Sequence, residues 1–186
     1  MEANSVTRTE KMLSRWSMAM QTFAVLGILW NVATIAIPAA GYFFTLTLPS
    51  NGGVKVLTAA DFSLVERWGV MAILSMTAWC WIWIMVQVVR MSRCFSRGEL
   101  LTTSIVRLLR AFAWGLFAMG LAEIATVPLI DAYLRFLRKG APIDDLWAAC
   151  IGGGMLESFM AGILFVILAK IWDISIAMRE ELELTV

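Results

Sequence analysis

The sequence predicts an all-α protein, an integral membrane four-helix bundle with both termini cytoplasmic. Three observations carry this. Four long apolar stretches, at about 17–44, 68–89, 111–130 and 146–169, hold few or no charges. A bilayer core is about 30 Å thick and a helix rises about 1.5 Å per residue, so roughly 20 residues span it. The composition agrees: 60% of the residues are hydrophobic and 16% charged, where a soluble domain carries about 25% charged residues. Basic residues give the orientation. The N-terminal tail, the 90–110 connection and the segment after the fourth span hold ten of the Lys and Arg residues, and the two other loops hold five. The positive-inside rule then places both termini of this multi-pass protein in the cytoplasm.

Each element follows from local signals. The first span has a basic flank of Arg8, Lys11 and Arg15, but its apolar run exceeds the roughly 7–15 residues of a signal peptide, so it is read as a permanent helix. Pro38 kinks or ends it. Pro49-Ser50-Asn51-Gly52-Gly53 is a cluster of turn residues, and 58–66 reads as a short interfacial helix. The second span carries Trp79, Trp81 and Trp83, and a basic connection with Gly98 follows. The third span exits through Pro128. Asp131 and Arg135 stand four apart, as in a further helical turn. Gly140-Ala141-Pro142 breaks the chain, and Asp144 and Asp145 open the fourth helix, where acids suit the positive end of the dipole. Residues 170–186 form a short charged cytoplasmic tail, with Arg179 and Glu183 placed to pair. The whole chain is one domain.

Composition also excludes chemistry. The chain has no His, which removes the commonest metal ligand and general base. Cys80, Cys94 and Cys150 are widely spaced and form no Cys-x-x-Cys motif. No metal, cofactor or catalytic activity is expected. The net charge of +1 implies no attraction to nucleic acid. Trp16, Trp68, Trp147 and Trp172 fall at span borders, where indole rings anchor helices. Trp30, Trp79, Trp81, Trp83 and Trp114 lie deeper and are read as packing and lipid contacts.

Asn31, Glu123 and Glu157 form a candidate intramembrane polar cluster near the bilayer midplane. A bare carboxylate is costly there and should face the bundle interior, a partner or water. The readings that stay open are a proton or cation relay, a site for a cationic ligand, and a hydrogen-bonded clamp between helices. Gln87 lies nearer the end of its span and is less telling. Gly154, Ser158 and Gly162 form a small-residue ladder that allows close helix packing, with Gly153 beside it; Ala118, Ala122 and Thr126 form another. Arg93, Arg97, Arg107 and Arg110 give a cytoplasmic basic face.

Two segments carry a resemblance. One is Cys94-Phe95-Ser96-Arg97-Gly98-Glu99-Leu100-Leu101-Thr102 followed by Val106-Arg107-Leu108-Leu109-Arg110. The other is the tail Arg179-Glu180-Glu181-Leu182-Glu183-Leu184-Thr185-Val186. With four spans, the chain resembles a family of small uncharacterised bacterial inner-membrane proteins that end in Glu-Glu-x-x-Leu-Thr-Val or Ile. In that family an aromatic-Ser/Thr motif follows a Gly; here Phe95-Ser96 precedes Gly98. The resemblance implies no established activity. Genes of such proteins often neighbour a small helix-turn-helix regulator, which implies a soluble regulatory partner.

The first expectation is therefore a membrane protein without catalytic activity that binds a regulatory partner. A small proton- or cation-linked transporter using Glu123 and Glu157 is the second. An accessory subunit of a larger membrane complex is the third. The bilayer is the one certain neighbour, and a homo-oligomer is a further use of the glycine ladder.

Overall fold

The computed structural model of the protein describes residues 2–40, 45–50, 53–99, 102–139 and 154–184. Four long helices are present: α1 (Glu2–Ala39), α2 (Leu64–Ser96), α3 (Thr103–Phe136) and α4 (Met155–Leu184). Each contains a segment long and apolar enough to cross a membrane. Each packs mainly on its neighbour in sequence, α1 on α2, α2 on α3 and α3 on α4. The helical membrane bundle expected from the sequence is thus present. Trp147, Cys150, Gly153 and the acids at 144 and 145 lie outside the described residues.

The helices run further than the apolar stretches because capping, and not hydropathy, ends them. Ser63 caps α2: Glu66 N–H donates to its Oγ at 3.4 Å, and Ser63 N–H donates back to Glu66 Oε2 at 2.7 Å. At the other end Gly98 takes φ +73°. There Gly98 N–H donates to Phe95 and Glu99 N–H to Cys94, closing the last turn. Pro128 sits inside α3 without stopping it. Asp131 and Arg135 pair at 2.7 Å on the continuing helix. Residues beyond Lys170 extend α4 to Leu184, and Arg179 meets Glu183 at 2.8 Å.

One element differs in kind from its expectation. Between α1 and α2 stands an antiparallel hairpin, β1 (Thr45–Ser50) and β2 (Gly53–Thr58), in register from Thr45–Thr58 to Ser50–Gly53. A single 3-10 turn, Ala59–Asp61, follows, so 58–66 is not an interfacial helix. Leu57 and Phe62 are buried with Ala39, Val70, Met71, Ile130 and Leu134 in one apolar cluster. The hairpin is thereby packed onto one end of α1, α2 and α3. A two-stranded hairpin is marginal alone, and this packing supplies what it lacks.

Polar and small residues set the helix contacts. Ser17 on α1 and Ser92 on α2 face each other in the interior: their hydroxyls stand 2.8 Å apart and each also donates to the other's carbonyl, at 2.7 and 2.6 Å. A shared pair of protons cannot serve all three contacts at once, so the bonds alternate within a closed ring. Between α3 and α4 the fit is steric. A Cβ on Gly162 would stand 3.3 Å from the Phe117 ring and 3.4 Å from the Ala113 carbonyl oxygen. One on Gly120 would stand 3.1 Å from Phe159. Ser158 is buried on the same face of α4. The ladder is uneven, however. A Cβ on Gly154 meets nothing nearer than two carboxylate oxygens at 3.9 Å. On α3, Ala118 is exposed, and Ala113 and Gly120 take the place of the expected Ala118 ladder.

Two outcomes follow. Gly162→Leu should separate α3 from α4 and lower the melting temperature in detergent by several degrees, whereas Gly27→Ala, whose Cβ would meet Met85 at an ordinary 3.5 Å, should melt like the parent. Equal melting of the two would place Gly162 against lipid. For the serines, a double-mutant cycle of Ser17→Ala and Ser92→Ala should give a coupling of about 0.5–2 kcal/mol, because either change breaks the same ring. Strict additivity would show that the two residues do not bond.

Candidate functional site

The chemistry-bearing groups lie where α1, α2 and α3 meet below the hairpin. A cleft of about 610 Å³ opens there, with Glu123 from α3 at one wall. Helical periodicity builds the others. Asn31, Thr34, Ile35 and Pro38 fall on one face of α1, and Leu74, Thr77, Ala78 and Trp81 on one face of α2. Trp30 flanks the opening, and Thr45 of β1 closes the hairpin end.

Glu123 is half-buried, and its Oε2 is fully shielded with no hydrogen-bond partner among the described residues. Around it the hydroxyl protons are already spent. Thr34 donates to the Asn31 carbonyl at 2.8 Å, Ser75 to Ala72 at 2.9 Å and Thr77 to Leu74 at 3.5 Å. Asn31 commits its amide nitrogen to Gly27 at 2.8 Å. It does not hold Glu123.

The three expected polar residues are therefore brought together only in part. Asn31 and Glu123 share the cleft. Glu157 stands in the first turn of α4 as described and is exposed. It approaches Glu123 from the far side: one oxygen of each carboxylate lies 3.9 Å from the Cβ position of Gly154. Gln87 is 1% exposed and its Nε2 has no partner among the described residues, so it is a more telling group than its sequence position suggested. Trp30 and Trp81 were read as packing and lipid contacts, yet they also border the cleft. The helical spacing of Trp81 with Thr77 and Ala78, and of Thr34 with Asn31, was the available signal.

At the opposite end of the bundle lies the basic face. Arg93, Arg97 and Arg107 are exposed and have no ion pair among the described residues. Arg110 is committed to Asp173 of α4 at 2.9 Å. Beneath them Ile105, Val106, Leu109, Ala169 and Ile176 form an apolar cluster that joins α3 to α4. Among the described residues no group of three or more Cys, Asp or Glu side chains is placed to share a metal ion.

Four long apolar helices and a carboxylate cleft define a multi-pass membrane protein. The chain belongs to the DUF2975 family of proteins of unknown function, which matches it over residues 64–186. The match takes in α2, α3 and α4, the basic face and Glu123. No curated protein and no solved structure matches the chain.

The geometry separates the clamp from the functional reading of Glu123. Its shielded oxygen has no partner to lose, so Glu123→Gln should melt within about 1 kcal/mol of the parent, and Glu123→Leu should be neutral or stabilising. A loss of about 3 kcal/mol or more in both variants would mark the carboxylate as a clamp between helices.

Proposed function

We propose that the protein is a non-catalytic protein of the bacterial inner membrane that docks a soluble regulatory protein on its arginine-bearing end, with both termini cytoplasmic. The observation that carries this is the set of exposed guanidinium groups of Arg93, Arg97 and Arg107, without an ion pair among the described residues, beside the committed Arg110–Asp173 pair. Any inner-membrane protein carries positive charge on the cytoplasmic side. Here the 90–110 segment uses five Arg and no Lys. A guanidinium offers a rigid fork of donors that suits carboxylates two at a time, where an ammonium acts as a point charge. The tight turn at Gly98 and the cluster beneath Leu109 hold these groups on rigid helix ends, which lowers the cost of ordering them on binding. The resemblance to proteins encoded beside helix-turn-helix regulators supports the same kind of partner.

A second reading has its own support. The unpartnered Glu123 oxygen in a cleft suits a small carrier linked to protons or cations, with Glu157 as the neighbouring acid.

A photo-crosslinker at Ser104 in native membranes tests the first reading. The expected result is an adduct with a soluble protein that disappears when Arg93, Arg97 and Arg107 are replaced by Glu, and that weakens with added salt. Adducts with lipid alone, or adducts indifferent to charge reversal, would reject it. Reporter fusions at Val186 and within 51–54 should report opposite sides of the membrane. Activity of the C-terminal fusion only outside the cytoplasm would reverse the orientation.

A further inference from the structure

We propose that the Glu123 cleft is a binding site for a lipophilic primary ammonium compound, an alkylamine carrying its proton. This site is distinct from the arginine-bearing end and stands whether or not a protein docks there. The cleft holds about 610 Å³, within the range of roughly 300–1,000 Å³ that small-molecule sites occupy.

Its polar groups select the ligand. The hydroxyl protons of Thr34, Ser75 and Thr77 go to carbonyls of their own helices, and so does one N–H of the Asn31 amide. These side chains therefore present lone pairs to the cleft. Glu123 adds a carboxylate to the lining, and its Oε2 is buried without a partner among the described residues. Among the described residues the side-chain donors that remain on the lining are the second Asn31 N–H, the two indole N–H groups and the Thr45 hydroxyl. No Lys or Arg lines the space. A site built of acceptors and one acid favours a ligand with positive charge and several N–H donors. It disfavours an anion, which would find few donors and a like charge.

The apolar walls select the rest of the molecule. Trp30, Trp81, Ile35, Met71 and Leu74 all line the cleft. Aromatic rings attract cations and accept alkyl chains equally well. A quaternary ammonium would satisfy the charge but leave the acceptors without donors, which separates it from a primary one.

The test uses the full chain in phosphatidylcholine nanodiscs, titrated calorimetrically with octylammonium chloride against empty nanodiscs. One saturable site per chain is expected. Octyltrimethylammonium should bind several-fold more weakly, and 1-octanol should neither bind there nor compete. Glu123→Gln should weaken octylammonium binding by about tenfold or more, since it removes the charge and keeps the shape. Trp30→Ala, at an exposed position that leaves the fold intact, should weaken it about two- to fivefold. The comparison of octylammonium with its alcohol and its quaternary analogue on the unaltered chain decides the matter even if Glu123→Gln does not fold. Heat equal to that of empty nanodiscs, octanol binding as tightly as the amine, or equal affinity for the quaternary analogue would each overturn the proposal.

Discussion

Inside a bilayer a polar group must find its partner within the protein, because there is no water to supply one. This chain meets that constraint mostly within single helices. Thr22, Thr126, Ser158 and Ser175 each donate to the carbonyl four residues back. The hydroxyls are thereby masked, and the helix surfaces behave as apolar ones. Such surfaces gain little by leaving lipid for each other, so association has to come from close packing and a few specific bonds. The serine ring between α1 and α2 and the glycine seats of Phe117 and Phe159 between α3 and α4 supply both kinds. Against this background Glu123 Oε2 and Gln87 Nε2 stand out, since each is shielded and unpartnered among the described residues.

Where water returns, charged pairs take over from packing. Lys139, just past α3, meets Glu66 at the start of α2 at 2.6 Å and stands 4.9 Å over the Phe62 ring. Tyr133 adds a bond to the Glu66 carbonyl at 3.4 Å and lies where any side chain on Gly69 would fall. Arg110 and Asp173 join α3 to α4 at the other end. Exposed pairs of this kind are worth little individually. Their position matters more, because they fix the helices in register at both faces. The hairpin belongs to this layer: it caps one end of the bundle and closes the cleft above Glu123.

Much of this was legible in the sequence, and the misses have identifiable causes. Length and hydropathy suffice for helices that must span a fixed thickness, so the four helices could be read directly. The local pairs Asp131–Arg135 and Arg179–Glu183 could be read too, because a spacing of four fixes their geometry. The hairpin was missed although its signal was present. Thr45-Leu46-Thr47-Leu48 and Val54-Lys55-Val56 alternate, and Asn51-Gly52 is a favoured two-residue connection. A window wide enough to find spans averages that alternation away. The Lys139–Glu66 and Arg110–Asp173 pairs join positions 73 and 63 residues apart and depend on tertiary placement. No local pattern announces them.

The family match divides the molecule in a way that bears on both proposals. It begins at residue 64, where α2 begins, so the arginine-bearing end, Glu123 and Trp81 lie within it. The whole of α1 and the hairpin precede it. Trp30, Asn31, Thr34 and Thr45 are therefore contributed by the unmatched part, and with them one side of the cleft. Ser17 is also there, and it is the group through which α1 bonds to Ser92 in the interior. The docking face can form from α2, α3 and α4 alone, since its apolar support comes from those three helices. The cleft cannot, because without α1 the carboxylate would lack the walls that make it selective. The two sites thus depend on different parts of one chain. α1 is the element that turns an isolated intramembrane acid into an enclosed acceptor site, and the serine ring is one of the contacts that hold it in place.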